Sequence, residues 1–228
     1  MLRLSEISTV KSLDATRRQR SGVAVLWLIA SAPAILLFLC VMVEVANIWN
    51  ARVKLEVALE SAALAGVKTW AELTEADTVP APHDSPGEFA KTSAARDAAV
   101  AAAAANNVAG MSIVLDRNEA DDGLNDVGYD NANCTGDLIL GGFPTTGATD
   151  FNVTAAVGCG RSTVPDEDFA VLAQQTLSVN AICNNLFGIP VGPFTVSGRA
   201  VATARCAGAN STVVNNPLLV HVTGVTCP

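Results

Sequence analysis

Histidine is nearly absent from this chain: of 228 residues, only His83 and His221 carry an imidazole. A Ser-His-Asp or Cys-His catalytic arrangement would have to use one of them. His83 stands in a proline-rich stretch, and His221, between Val220 and Val222, reads as an ordinary strand residue. The sequence also has no Cys-x-x-Cys pair, no His-Glu-x-x-His and no Walker-type loop, which removes the common signatures of metal and phosphate chemistry. Aromatic residues make up 5% of the chain although 50% is apolar, so the expected core is modest and made of small side chains. A basic excess is missing too. The net charge of −8 and a pI near 4.7 argue against nucleic acid as a partner, because a phosphate-binding surface is basic.

What the chain does have is one long apolar run, Val23 to Val43, without a charged residue. About 21 residues of helix span about 30 Å, the thickness of a bilayer's hydrocarbon core. A cleaved secretory signal has a shorter apolar region followed by a small-residue cleavage site, so a retained membrane anchor is the expectation. Lys11, Arg17, Arg18 and Arg20 precede the run; Arg52 and Lys54 follow it, mixed with Glu44, Glu56 and Glu60. The positive-inside rule then puts residues 1–22 in the cytoplasm as a basic tail and the C-terminal side outside. Within the span, Pro33 removes a backbone donor. Glu44, at its outer edge, reads as an interfacial carboxylate or as a contact for a partner in the membrane. Cys40 lies in the span. Cys134, Cys159, Cys183, Cys206 and Cys227 all fall on the exported side, where disulfides persist; their odd number leaves one over, and the pairing is open.

Past the span, helical spacing continues to Trp70, with Ile48, Leu55, Leu59, Ala62, Gly66 and Trp70 near one face. Residues 44–70 are therefore expected as a helical stalk, and Ala62, Ala63 and Gly66 as a smooth surface for another helix or a sheet. Residues 71–85, with Pro80 and Pro82, read as a linker. Ser85-Pro86-Gly87-Glu88 is a capping box that opens an alanine-rich helix ending near Asn106-Asn107 and Gly110. After Gly110 the pattern turns to strands: Ile113 to Leu115, Leu138 to Leu140, Phe151 to Val157, Leu177 to Cys183, Phe194 to Ala204 and Leu218 to Val225. Asp166 to Gln175 reads as a short helix, and Gly141-Gly142 as a turn. The fold class is α+β, with a mainly antiparallel exported domain over residues 86–228. An acidic stretch between Asp116 and Asp130 offers the oxygen ligands Ca²⁺ uses. It lacks EF-hand spacing and is expected to be a solvated loop. No cofactor or metal is expected, and no small-molecule substrate.

The order of features from Arg20 to Gly66 resembles the N-terminal region of TadE/TadG-like proteins of the Flp, or tight-adherence, pilus assembly system of bacteria. The features are the basic run Arg17-Arg18-Gln19-Arg20, Ser21-Gly22-Val23-Ala24-Val25-Leu26, the apolar span with Pro33, the acid Glu44, and Leu59-Glu60-Ser61-Ala62-Ala63-Leu64-Ala65-Gly66. The resemblance implies a non-enzymatic envelope component that assembles or anchors an adhesive pilus, in a bacterial inner membrane, with other pilus or envelope proteins as partners. Some members resemble prepilins and are cut after a glycine, with glutamate five residues on. Gly22 matches that glycine, but the fifth residue after it is Trp27, which implies the uncleaved, TadG-like branch. The other readings are a membrane-tethered enzyme or ligand-binding domain, and a minor pilin processed at Gly22.

Overall fold

The computed structural model describes residues 6–75, 86–119, 131–144, 150–153, 167–183, 192–204, 217–221 and 224–226. Two helices come first, α1 (Glu6–Glu75) and α2 (Pro86–Ala104). Eight strands follow: β1 (Asn107–Val108), β2 (Met111–Ser112), β3 (Leu138–Pro144), β4 (Asp150–Asn152), β5 (Glu167–Val179), β6 (Phe194–Ala204), β7 (Leu218–Val220) and β8 (Gly224–Thr226). The fold is α+β. β1 and β2 form a two-residue hairpin whose turn residues, Ala109 and Gly110, both have positive φ (50° and 81°), the conformation that matches strand twist. The other six strands form one sheet in the order β7-β6-β5-β3-β4-β8, antiparallel except between β4 and β8. The chain divides into two compact units, residues 1–47 with 180–192, and residues 48–179 with 193–228. α1 contributes to both.

In the second unit the stretch expected to be a stalk is core helix. Leu55, Leu59, Ala62, Ala63, Val67 and Trp70 are all buried, in one cluster with Ala95, Ala99 and Ala103 of α2 and Phe169, Val171 and Ala173 of β5. The helix also runs to Glu75, into the segment expected as linker. Gly66 explains how alanine-rich surfaces meet so closely. A Cβ placed there would stand 3.3 Å from the Ala95 carbonyl oxygen, from Ala99 Cβ and from Val171 Cγ1. At the end of α1, Trp70 meets Phe169 edge-on, with ring centroids 5.1 Å apart. α2 stops where polar side chains take its last carbonyls. Asn106 Nδ2 donates to Ala102 O at 2.9 Å and Ser112 Oγ donates to Ala104 O at 3.0 Å. Ser85, the expected cap at its other end, lies outside the described residues.

Several local expectations are corrected: the strand expected over Leu177 to Cys183 ends at Val179, and the one expected over Leu218 to Val225 is two, β7 and β8. Asp166 to Gln175 is not a helix, because residues from Glu167 onward belong to β5. Phe169, Val171 and Ala173 enter the helix-side cluster, while Ala170 and Leu172 enter a second cluster with Ile139, Phe151 and Val201. Burial on both faces erases the alternation that marks a strand. Gly141 and Gly142 are not a turn but lie inside β3, where a Cβ on Gly141 would collide with the Asn152 carbonyl and the Phe151 ring. Ile113 to Leu115 is not a strand either; its two outer residues are buried in the core cluster. Ile113 N donates instead to Asn106 O at 3.4 Å.

The outer edge of β3 is completed by side chains. Asn131 Nδ2 donates to Leu140 O at 2.8 Å and its Oδ1 accepts Leu140 N–H at 3.0 Å. One asparagine thus replaces a strand neighbour. Asn118 Nδ2 similarly donates to Leu138 O at 2.8 Å and to Asn133 O at 2.7 Å, and its Oδ1 accepts Asn133 N–H at 3.0 Å. Behind them Arg96, fully buried, donates from Nε to Arg117 O and from Nη2 to Asn131 Oδ1, both at 2.8 Å. Asn131→Ala strips three of these bonds and leaves buried polar groups short of partners. The full chain in detergent should lose about 3 kcal/mol of unfolding free energy in a denaturant titration. Gly66→Leu, which forces α2 and β5 away from α1, should cost about 1–3 kcal/mol in the same measurement.

Candidate functional site

The membrane-length part of α1 is apolar on every side. Leu26, Trp27, Leu28 and Ile29, four consecutive residues that point around the whole helix, are all exposed. Its best 18-residue window has a mean hydropathy of 2.5, and among the described residues it is the one helix long and apolar enough to cross a membrane. An all-round apolar helix with its surface open is suited to lipid rather than water. Pro33 is exposed within this helix, which stays α-helical through it. Two residues earlier, Ser31 Oγ donates to Leu28 O at 3.1 Å. Gly22 also lies in α1.

At the C-terminal end of the run, three residues one turn apart on the helix take hold of the segment that follows β5. Cys40 is disulfide-bonded to Cys183, with Cα atoms 6.2 Å apart. Glu44, buried at 6% exposure, accepts the Cys183 backbone N–H on Oε1. Asn47 Nδ2 donates to the Asn180 carbonyl at 3.4 Å. The sequence reading set Cys40 apart in the span and left one exported cysteine over; the structure gives Cys40 a partner. Glu44 is covered by this segment, and its Oε2 is buried without a hydrogen-bond partner among the described residues. Asn47 was missed, although Cys40, Glu44 and Asn47 recur at i, i+4 and i+7, a spacing that puts three polar groups on one face.

Of the other expected site residues, Ala62, Ala63 and Gly66 come together at the crossing with α2 and β5. Cys134 is disulfide-bonded, while Cys159, Cys206 and Cys227 lie outside the described residues. The acidic loop is described only at its start, residues 116–119. There Asp116 Oδ1 accepts Asn118 N–H at 3.1 Å, and Arg117 pairs with Asp97 at 3.0 Å and Glu119 at 2.9 Å. His83 is outside the described residues, and His221 is exposed after β7. A shallow polar groove of about 770 Å³ lies among Arg52, Glu56, Asp137, Gln174 and Arg199, with Arg52 and Glu56 paired at 3.0 Å.

Glu44→Ala should leave the Cys183 amide without its acceptor. A loss of about 1.4 kcal/mol or more would speed its hydrogen exchange at least about tenfold, read by mass spectrometry on peptides covering residues 178–186 of the oxidised chain.

No curated protein and no solved structure matches this chain. A family model does, over part of its length, and that part runs from Gly22, just before the apolar run, to Trp70 at the end of the buried face of α1. Residues 22–70 match the family model described as putative Flp pilus-assembly TadE/G-like.

Proposed function

We propose that the chain is a single-pass, non-enzymatic component of a Flp/Tad-type pilus assembly system, held in a bacterial inner membrane by residues 23–43. Its N-terminus is cytoplasmic, its C-terminal domain is outside, and its partners are other pilus or envelope proteins. The observation that carries this reading is the pilus-assembly family match on the same helix that has membrane length and an apolar surface all round. The excess of Lys11, Arg17, Arg18 and Arg20 before the span supports the orientation. So do the disulfides of Cys183 and Cys134 on the C-terminal side, since such bonds persist in oxidising compartments. With two histidines in the sequence, a role in holding and packing is favoured over catalysis.

Two measurements test it. Alkaline phosphatase fused after Pro228 should be active, and a fusion ending at Gly22 inactive; the reverse pattern would overturn the orientation. N-terminal sequencing should find residues 17–22 retained in the chain recovered from membranes, with none in sheared surface material. A chain that begins at Val23 in the sheared fraction would make the protein a fibre subunit instead.

A further inference from the structure

Residues 180–192 connect β5 to β6, yet they group with the apolar helix and not with the sheet they interrupt. Three bonds hold their start there: the Cys40–Cys183 disulfide, the Cys183 N–H on Glu44, and the Asn180 carbonyl on Asn47. The depth of that attachment follows from the sequence. Between Arg20 and Arg52 the only charged residue is Glu44, and Glu44 is covered. That interval is about 31 residues, roughly 46 Å of helix, against about 30 Å of hydrocarbon. Centred in the bilayer, the hydrocarbon-spanning part would reach past Cys40 toward residue 46. The helix surface agrees, because Val41, Met42, Val43 and Val45 (59%) remain exposed around and beyond the attachment.

Non-helical backbone at such a depth must find its hydrogen-bond partners within the protein. Here Glu44 accepts the Cys183 N–H and Asn47 donates to the Asn180 carbonyl, which gives a reason for two polar side chains at the end of an apolar run. The segment's own outward residue is apolar: Ile182 is 63% exposed. From Phe169 to Gly198 the sequence has no charged residue.

We propose that the start of the β5–β6 connection, around Ile182, is a second membrane contact of this chain, seated against lipid in the outer leaflet and pinned to α1 at Cys40. The occupant of its exposed apolar side is the bilayer itself, continuous with the lipid around α1. This rests on reading α1 as the anchor.

The test uses the full chain, reconstituted in vesicles of phosphatidylethanolamine and phosphatidylglycerol, after mass spectrometry has found the 40–183 link intact. A dansyl amino acid replaces Ile182 in one sample and Leu218, exposed on β7, in another. Lipids brominated in the upper acyl chain report contact with the leaflet, and aqueous iodide reports exposure to water. A group held about 5–10 Å into the interface should lose about half its emission to the brominated lipid at position 182 and little to iodide. Position 218 should respond mainly to iodide. If position 182 is quenched by iodide as strongly as position 218 and not by brominated lipid, the second contact does not exist. Trp27 gives the separate control, as the difference between the chain and Trp27→Phe. Trp27 emission quenched by brominated lipid while position 182 is not would overturn this inference alone. Trp27 emission that brominated lipid leaves unchanged would overturn the anchor as well.

Discussion

The core of the second unit depends on how closely α1, α2 and β5 approach at Gly66. α1, α2 and β5 meet there so tightly that a methyl group in place of the hydrogen would force one of them to give. A core of alanines buries little apolar area per side chain, so its cohesion comes from many short-range contacts, each weak and each lost quickly with distance. Close approach is therefore what makes an aromatic-poor sequence able to hold a sheet. Gly198 repeats the device on β6, where Leu55 and Leu59 fill the space a side chain would take. Trp70 and Phe169, at the end of α1, are the large pair in an otherwise fine-grained interior.

Polar groups do comparable work where small residues cannot. The strand that β3 lacks beside Leu138 and Leu140 is replaced by the side chains of Asn118 and Asn131. Asn131 presents Leu140 with both a donor and an acceptor, as a strand would, and Asn118 presents Leu138 with a donor. Arg96 then becomes possible in the interior, because Asn131 and the Arg117 carbonyl accept from it. These bonds also tie Asn118, in the first part of the acidic stretch, and Asn131, just after it, to the sheet.

Much of this was legible. The helical period of residues 45–70, the alanine run and the uncharged span are strong local signals, and Ala62 to Gly66 could be read as a packing surface from composition alone. β5 was not legible in its first half, since both faces are buried and Phe169 to Ala173 shows no alternation. Gly141 was read as a turn because glycine marks turns more often than it marks a strand crowded by a neighbour's ring. Cys40 was judged by its place in an apolar run, and its partner lies 143 residues away, beyond the reach of any local pattern. The i, i+4, i+7 series of Cys40, Glu44 and Asn47 was the available hint that something covers that face.

The two ends of the 22–70 segment face opposite requirements, and the change occurs over a short interval. Around Leu26 to Ile29 every side of the helix is apolar and open; from Ala51 onward one side is buried and the other carries the Arg52–Glu56 pair. An ion pair exposed in this way belongs in water, where its solvation costs nothing. Glu44 belongs with the first region only because it is covered. The helix therefore leaves lipid between Glu44 and Arg52 if it is the anchor proposed here. A charge introduced at Val41 or Val45 would have to be buried in lipid, whereas one introduced at Lys54's position, already charged and exposed, would meet water. Position along this one helix, more than residue type, decides which substitutions the chain can bear.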